Sequence, residues 1–212
     1  VAVIGAGAMG AGIGQIAAQA GHRVRLLDLQ PGAAAQATLR LRSTFAKLVE
    51  KGKLTAESAA AAGERLTAVE SHGELAGSSL VVEAIVERLD VKRQLFAQLE
   101  GIVEADCILA TNTSSISVTA IAAGLQYPGR VVGMHFFNPA PLMALVEVVS
   151  GLATDPAVAA TTHDTALAWG KKPVHTKSTP GFIVNRVARP YYAEALRLLH
   201  EQAADPATID AV

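Results

Sequence analysis

Two side chains stand out because the pattern around them argues against their presence. Glu147 interrupts the apolar run Leu145-Val146-Glu147-Val148-Val149, and a buried carboxylate without a partner either costs several kcal/mol or gives up its charge. His135 closes a second β-branched run, Val131 to Met134. By itself a histidine in that place is more readily a satisfied structural residue. The turn-prone segment Asn138-Pro139-Ala140-Pro141 lies between them, so the chain can reverse and bring the carboxylate to the imidazole. A carboxylate that fixes one ring nitrogen leaves the other as a proton acceptor and stabilises the imidazolium that forms. Such a pair suits removal of a hydroxyl proton while hydride passes to a nicotinamide, the redox chemistry being the cofactor's own.

The chain also carries a phosphate-binding pattern. Val1-Ala2-Val3-Ile4 runs into Gly5-Ala6-Gly7-Ala8-Met9-Gly10 and then into a helical stretch, Ala11 to Ala20. In G-x-G-x-x-G the first glycine allows the tight turn, the second lets the backbone approach a pyrophosphate, and the third permits helix to pack on strand. The helix N-terminus supplies free amides and partial positive charge. The next strand, Arg23 to Leu27, ends at Asp28, placed to hold both hydroxyls of an adenosine ribose. Its charge would repel a 2′-phosphate, which favours NAD over NADP. FAD uses the same fingerprint, and a tight turn beside a surface charge is the bland alternative. A third polar segment, Thr111-Asn112-Thr113-Ser114-Ser115, follows a buried strand at the edge where ligands bind in open α/β sheets, although Thr113 or Ser114 could simply cap the helix over Val118 to Ala123.

Short β-branched runs position these groups: Val1 to Ile4, Arg23 to Leu27, Leu80 to Val82, Ile108 to Ala110, Val131 to Met134 and Leu145 to Val149. Helical stretches separate them, so the expected fold is α/β, a doubly wound and mostly parallel Rossmann-type sheet. Pro31 to Leu66 exceeds a simple crossover, breaks at Gly52 and restarts at Thr55, which reads as a helical hairpin projecting from the sheet. A long helix is expected after Pro180, kinked at Pro190. The boundary is therefore set at 1–180 for a dinucleotide-binding domain and 181–212 for the start of an all-helical domain. A chain that opens at Val1 inside a strand pattern and closes at Val212 is expected to be a piece of a longer protein.

Composition narrows the function classes. With 50% hydrophobic residues and a formal charge of −1, the chain is globular rather than disordered, and nothing in its charge favours nucleic acid or a membrane surface. Its single cysteine, Cys107, cannot form an internal disulfide and reads as a packed thiol in a reducing, cytoplasmic setting. No apolar stretch reaches the length of a membrane span.

The six segments Gly5 to Gly10, Val82 to Glu87, Thr111 to Ser115, His135 to Pro139, Leu145 to Val149 and Pro180 to Arg186 together resemble the L-3-hydroxyacyl-CoA dehydrogenase family, most closely its bacterial 3-hydroxybutyryl-CoA branch. The resemblance covers essentially the whole chain. It implies interconversion of (3S)-3-hydroxyacyl-CoA and 3-oxoacyl-CoA with NAD, His135 as base or acid, Glu147 as its orienting partner, and Ser114 and Asn185 beside the substrate oxygen. Glu87, Lys92, Ser114 and Asn138 match positions that contact the dinucleotide; read from the residues alone, Glu87 and Lys92 would be solvated helix charges. Thr44 and Lys51 on the hairpin match contacts to coenzyme A, with threonine replacing the family's serine at the first. The family dimerises through the helical domain, so a homodimer is expected. A non-catalytic NAD-binding paralogue and a dehydrogenase of free β-hydroxy acids are the rival readings.

Overall fold

The computed structural model describes residues 1–211. Strand β1 (Ala2–Ile4) leads into helix α1 (Ala8–Gln19), followed by β2 (Val24–Leu27), α2 (Ala33–Glu50), α3 (Ala56–Glu64) and β3 (Leu66–Val69). Next come β4 (Leu80–Glu83), α4 (Leu89–Glu100), β5 (Ile108–Thr111), α5 (Val118–Ala122) and β6 (Val131–Phe136). The chain continues through β7 (Leu145–Ser150), α6 (Pro156–Ala168), β8 (Lys172–Lys177), α7 (Val184–His200) and α8 (Pro206–Ala211).

Among the described residues these strands form one sheet in the order β3-β2-β1-β4-β5-β6-β7-β8. Pairing is parallel from β3 across to β6; β7 runs antiparallel to β6, and β8 follows β7 in parallel. Successive residues in each strand face opposite sides, so each inner strand feeds two cores. Val3, Leu26, Val82 and Val132 pack under α1, α2 and α6 with Phe45 and Trp169. Ile4, Leu27, Val81 and Leu109 pack under α4 and α5 with Phe96 and Leu99. Burial on both faces is why these strands are continuous apolar runs in the sequence.

Two strands depart from the sequence reading. β3 forms at the end of the projecting hairpin, and β8, with the sequence Lys-Pro-Val-His-Thr-Lys, adds an outer strand beyond β7. β8 is exposed or only half-buried along its length, so it has no apolar run to betray it. The hairpin itself is present as α2 and α3 with Gly52 in the left-handed region between them, and Thr55 caps α3 by accepting the Ser58 amide at 3.1 Å. The cap of α5 is Ser117, which accepts from the Ala120 amide, rather than Thr113 or Ser114. Helix α7 continues through Pro190 as one element.

Candidate functional site

Strand order reverses on either side of β1, so the loops leaving β1 and β4 diverge and open a crevice at their carboxyl ends, the place where such sheets bind ligands. The glycine loop is fitted to that spot. A Cβ on Gly5 would lie 2.4 Å from the Ala84 carbonyl oxygen, and one on Gly10 would lie 1.8 Å from that of Gly5. Neither position admits a side chain. Gly7 is different, since a Cβ there would meet nothing within 4 Å. It opens α1, which no side chain caps, leaving amides and open space together at the helix N-terminus. Asp28 sits beside this loop, accepting the Ala6 amide at 2.6 Å and the Gln30 amide at 2.9 Å. Open backbone, a helix N-terminus and a carboxylate at the end of β2 fit the pyrophosphate and ribose of a dinucleotide.

Behind the loop lies a buried charge cluster. Lys92 is 1% exposed and Glu83 fully buried; the ammonium lies 2.5 Å from Glu83 Oε1 and 3.3 Å from Glu87 Oε2. Glu83 also accepts from the Thr111 hydroxyl at 2.6 Å and the Ile85 amide at 2.7 Å. Glu87 gathers the 111–115 segment through the Thr113 hydroxyl at 2.5 Å and the Ser114 amide at 2.9 Å. Burial opposes the Glu87 charge, but the Thr113 hydroxyl, the Lys92 ammonium and the Ser114 amide outweigh it and hold its carboxyl below the usual range. Lys92 is thus the hub that fixes the Ser114 loop, and the residue-level reading of Lys92 as a solvated charge is corrected.

The antiparallel turn between β6 and β7 sets His135 directly opposite Glu147 in register. The imidazole Nδ1 lies 2.7 Å from Glu147 Oε2, with the histidine 5% exposed and the glutamate fully buried. Phe137 and Phe182 flank the ring, with centroids at 4.5 and 5.8 Å. With Nδ1 engaged, Nε2 remains for the cleft, the arrangement of an oriented acid/base. The second carboxylate oxygen is also used. Glu147 Oε1 accepts from the backbone amides of Ile183 and Val184 at 2.8 and 2.9 Å, the opening of α7. Those amides reach it through a turn in which Gly181 has φ 75° and Phe182 φ 46°, an uncommon conformation for a bulky residue. One carboxylate therefore orients the histidine and anchors the α7 N-terminus, where helix polarity favours a negative charge.

Asn185, in the first turn of α7, donates to the Ser114 carbonyl at 3.4 Å. Met9, Glu87, Lys92, Asn112, Ser114, His135, Asn138, Asn185 and Arg189 all border one cleft of about 470 Å³. The glycine loop through Met9, the charge cluster through Glu87 and Lys92, and His135 converge on this single space. Residues 1–179 match the family described as 3-hydroxyacyl-CoA dehydrogenase, NAD binding domain, and residues 181–212 match the C-terminal domain of the same enzyme.

The chain belongs to the 3-hydroxyacyl-CoA dehydrogenase family.

It is 54% identical over 211 residues to 3-hydroxyadipyl-CoA dehydrogenase of Escherichia coli, covering 100% of this chain and 44% of that protein. To a probable 3-hydroxybutyryl-CoA dehydrogenase of Bacillus subtilis it is 42% identical over 212 residues, covering 100% of this chain and 74% of the relative. The crystal structure of (S)-3-hydroxybutyryl-CoA dehydrogenase from Ralstonia eutropha superposes with a TM-score of 0.94 at 39% identity, over 98% of this chain and 73% of that one. The chain thus spans less than half the length of the Escherichia coli relative.

Of the residues that the family resemblance implied, Ser114, His135, Asn138, Asn185, Glu87 and Lys92 share the cleft, together with Met9 of the glycine loop. Thr44 and Lys51 do not border it. They lie on the projecting hairpin, Thr44 donating its hydroxyl to the Arg40 carbonyl at 2.9 Å and Lys51 exposed at the end of α2. Three members of the site were given no role of their own in the sequence reading, although Glu83 and Asn112 fall inside segments it singled out. Glu83 ends the apolar strand Leu-Val-Val-Glu, the same signal that singles out Glu147. Asn112 accepts the Phe136 amide at 2.9 Å and ties the ends of β5 and β6 together. Arg189 falls one helical turn after Asn185 on α7, and its spacing from Asn185 was its signal.

Proposed function

We propose that the protein carrying this chain is an NAD-dependent dehydrogenase that interconverts (3S)-3-hydroxyacyl-CoA and 3-oxoacyl-CoA. The observation that carries the reading is the buried His135–Glu147 contact of 2.7 Å on the wall of a cleft that also meets the glycine-loop residue Met9. When bound, NAD supplies hydride acceptance and donation. His135 Nε2 takes the proton of the 3-hydroxyl in the oxidative direction and returns it in reduction. Glu147 holds Nδ1 and offsets the positive charge on the ring while that proton is present. Ser114, fixed through Glu87 and Lys92, and Asn185, fixed on α7, hold the thioester and reacting oxygen in place; positioning of this kind contributes as much as the base. Asp28 and the Gly5 to Gly10 loop bind the dinucleotide. Thr44 and Lys51 serve coenzyme A.

The names of the Escherichia coli and Bacillus subtilis relatives give different acyl groups on one scaffold, and the 3-hydroxyacyl-CoA class is what they share. Exposed apolar residues on α7, with Val187 70%, Tyr191 69% and Leu196 67% exposed, support burial of this helix against further helical structure in a homodimer. The presence of Ser114, His135, Glu147 and Asn185 in one connected arrangement argues against a non-catalytic paralogue.

The test is loss of absorbance at 340 nm when the intact protein is mixed with NADH and acetoacetyl-CoA. Oxidation of NADH is expected. Binding of NADH without its oxidation supports a non-catalytic role, and turnover of free hydroxy acids but not acyl-CoA supports a β-hydroxy acid dehydrogenase.

A further inference from the structure

Lys171 is a buried charge that the mechanism leaves unused. It is 7% exposed, and among the described residues its partners are backbone carbonyls alone. The ammonium donates to Ala140 at 2.6 Å, Met143 at 2.9 Å and Pro141 at 3.4 Å, so three donors on one nitrogen serve three acceptors. Those carbonyls have no other donor among the described residues. The segment itself can offer few: Pro139 and Pro141 lack an N–H, and the Leu142 and Met143 amides both go to the Pro139 carbonyl. Carbonyls left unpaired away from water are costly, so the reversal between β6 and β7 depends on Lys171 for its shape. Gly170, at φ 75°, and the Lys171 amide on the Ala166 carbonyl end α6 and bring the side chain to this place.

The same reversal meets the dinucleotide site on its other side. It starts from Asn138, which borders the cleft. Ala140 and Pro141 then rest on α1 just after the glycine loop: a Cβ on Gly12 would lie 3.2 Å from Ala140 Cβ and 3.1 Å from Pro141 Cδ. We propose that Lys171 is a positioning residue for the dinucleotide, clamping the β6–β7 reversal against α1 and so holding Asn138 where the cofactor meets it. This inference rests on the dehydrogenase reading, with Asn138 at the cofactor as the family resemblance implies. His135 and Glu147 need the clamp less, because the β6–β7 ladder pairs them directly between Gly133 and Phe136. Loss of Lys171 is therefore felt in cofactor affinity before it is felt in chemistry.

The experiment measures Kd for NADH in the intact protein by the fluorescence of the bound cofactor, with kcat and both KM values for reduction of acetoacetyl-CoA. Lys171→Met keeps an unbranched apolar stem and removes all three donors. Its Kd for NADH is expected to rise about tenfold or more, the size of one lost charge-assisted bond. At saturating NADH, kcat and the KM for acyl-CoA should stay within about threefold, the pattern of lost cofactor binding rather than lost chemistry. Lys171→Arg keeps charged donors, and a hollow of about 400 Å³ beside Lys171 has room for the larger group, so it should recover most of the affinity. A lysine needed only for folding gives the opposite split, a lower apparent kcat with NADH affinity unchanged, and that result overturns the inference. So does an arginine variant as weak as the methionine one. If Lys171→Met does not fold, Gly12→Ala carries the test, since its methyl must push Ala140 and Pro141 away from α1 by a few tenths of an ångström: weaker NADH binding supports the clamp and unchanged binding overturns it. NADH binding without turnover in the unsubstituted protein would sink the dehydrogenase reading and leave Kd alone to decide the role of Lys171.

Discussion

Replacing Glu147 by glutamine changes one oxygen to an amide and tests both duties of this side chain at once. The carboxylate accepts on both oxygens, from His135 on one side and from the Ile183 and Val184 amides on the other. Glutamine has a single acceptor oxygen and must choose. If that oxygen keeps the two backbone amides, the NH2 group faces Nδ1, the ring proton moves to Nε2, and Nε2 can no longer accept a proton. If it keeps the imidazole instead, NH2 opposes two backbone N–H groups that lose charge-assisted bonds, at about 1.5–3 kcal/mol each. The first arrangement loses less stability and should prevail. We therefore expect kcat for 3-oxoacyl-CoA reduction to fall by about 10²–10⁴-fold, about 3–5 kcal/mol of barrier, with the melting temperature nearly unchanged. Initial rates at 340 nm and a thermal melt measure the two quantities. A kcat within threefold of the unsubstituted value, with an unchanged melt, would refute the claim that Glu147 fixes the imidazole tautomer.

Other substitutions probe the supporting structure. Glu83→Gln removes the charge that pairs with Lys92 and leaves one oxygen to accept from Lys92, Ile85 and Thr111; a broken buried pair costs about 3–5 kcal/mol, which at this chain length lowers the melting temperature by roughly 6–20 °C, and a shift under about 2 °C would show the cluster to be dispensable. Burial pushes the Cys107 thiol up to about 11, so a thiolate-selective reagent should label the native protein at pH 8 only as fast as it unfolds, and rapid labelling would contradict a packed thiol. Because the unfolded thiol ionises first as pH rises, Cys107 makes stability fall between its unfolded value and about 11. Denaturant titrations at rising alkaline pH, compared with Cys107→Ala, should show that slope only in the protein that retains the thiol.

How much of this was legible depended on whether a residue's signal was local. β1, β4, β5, β6 and β7 are apolar because they are buried on both faces, so their runs stand out. β8 stays exposed or half-buried and carries lysine at both ends; sheet pairing with β7 creates it, and no window of sequence announces that pairing. His135 and Glu147 were readable because an ionisable group in a strand demands a partner and a short turn supplies the reversal. The second acceptor role of Glu147 was not, since Ile183 and Val184 lie 36 and 37 residues away and reach it through the unusual Gly181-Phe182 turn. Lys92 was misjudged from its residues because a helix lysine is ordinarily solvated; here it lies on the buried face of α4 with Leu95, Phe96 and Leu99, and two glutamates placed by β4 and the loop after it match its charge. The family resemblance marked Lys92 where residue chemistry did not.

The central claim is that His135 moves the substrate proton at the edge of a dinucleotide site. It is tested most directly by His135→Gln, measured for both NADH affinity and 3-oxoacyl-CoA turnover in the intact protein. The account predicts unchanged NADH binding and a loss of about two to four orders of magnitude in kcat. Turnover close to that of the unsubstituted protein would contradict it.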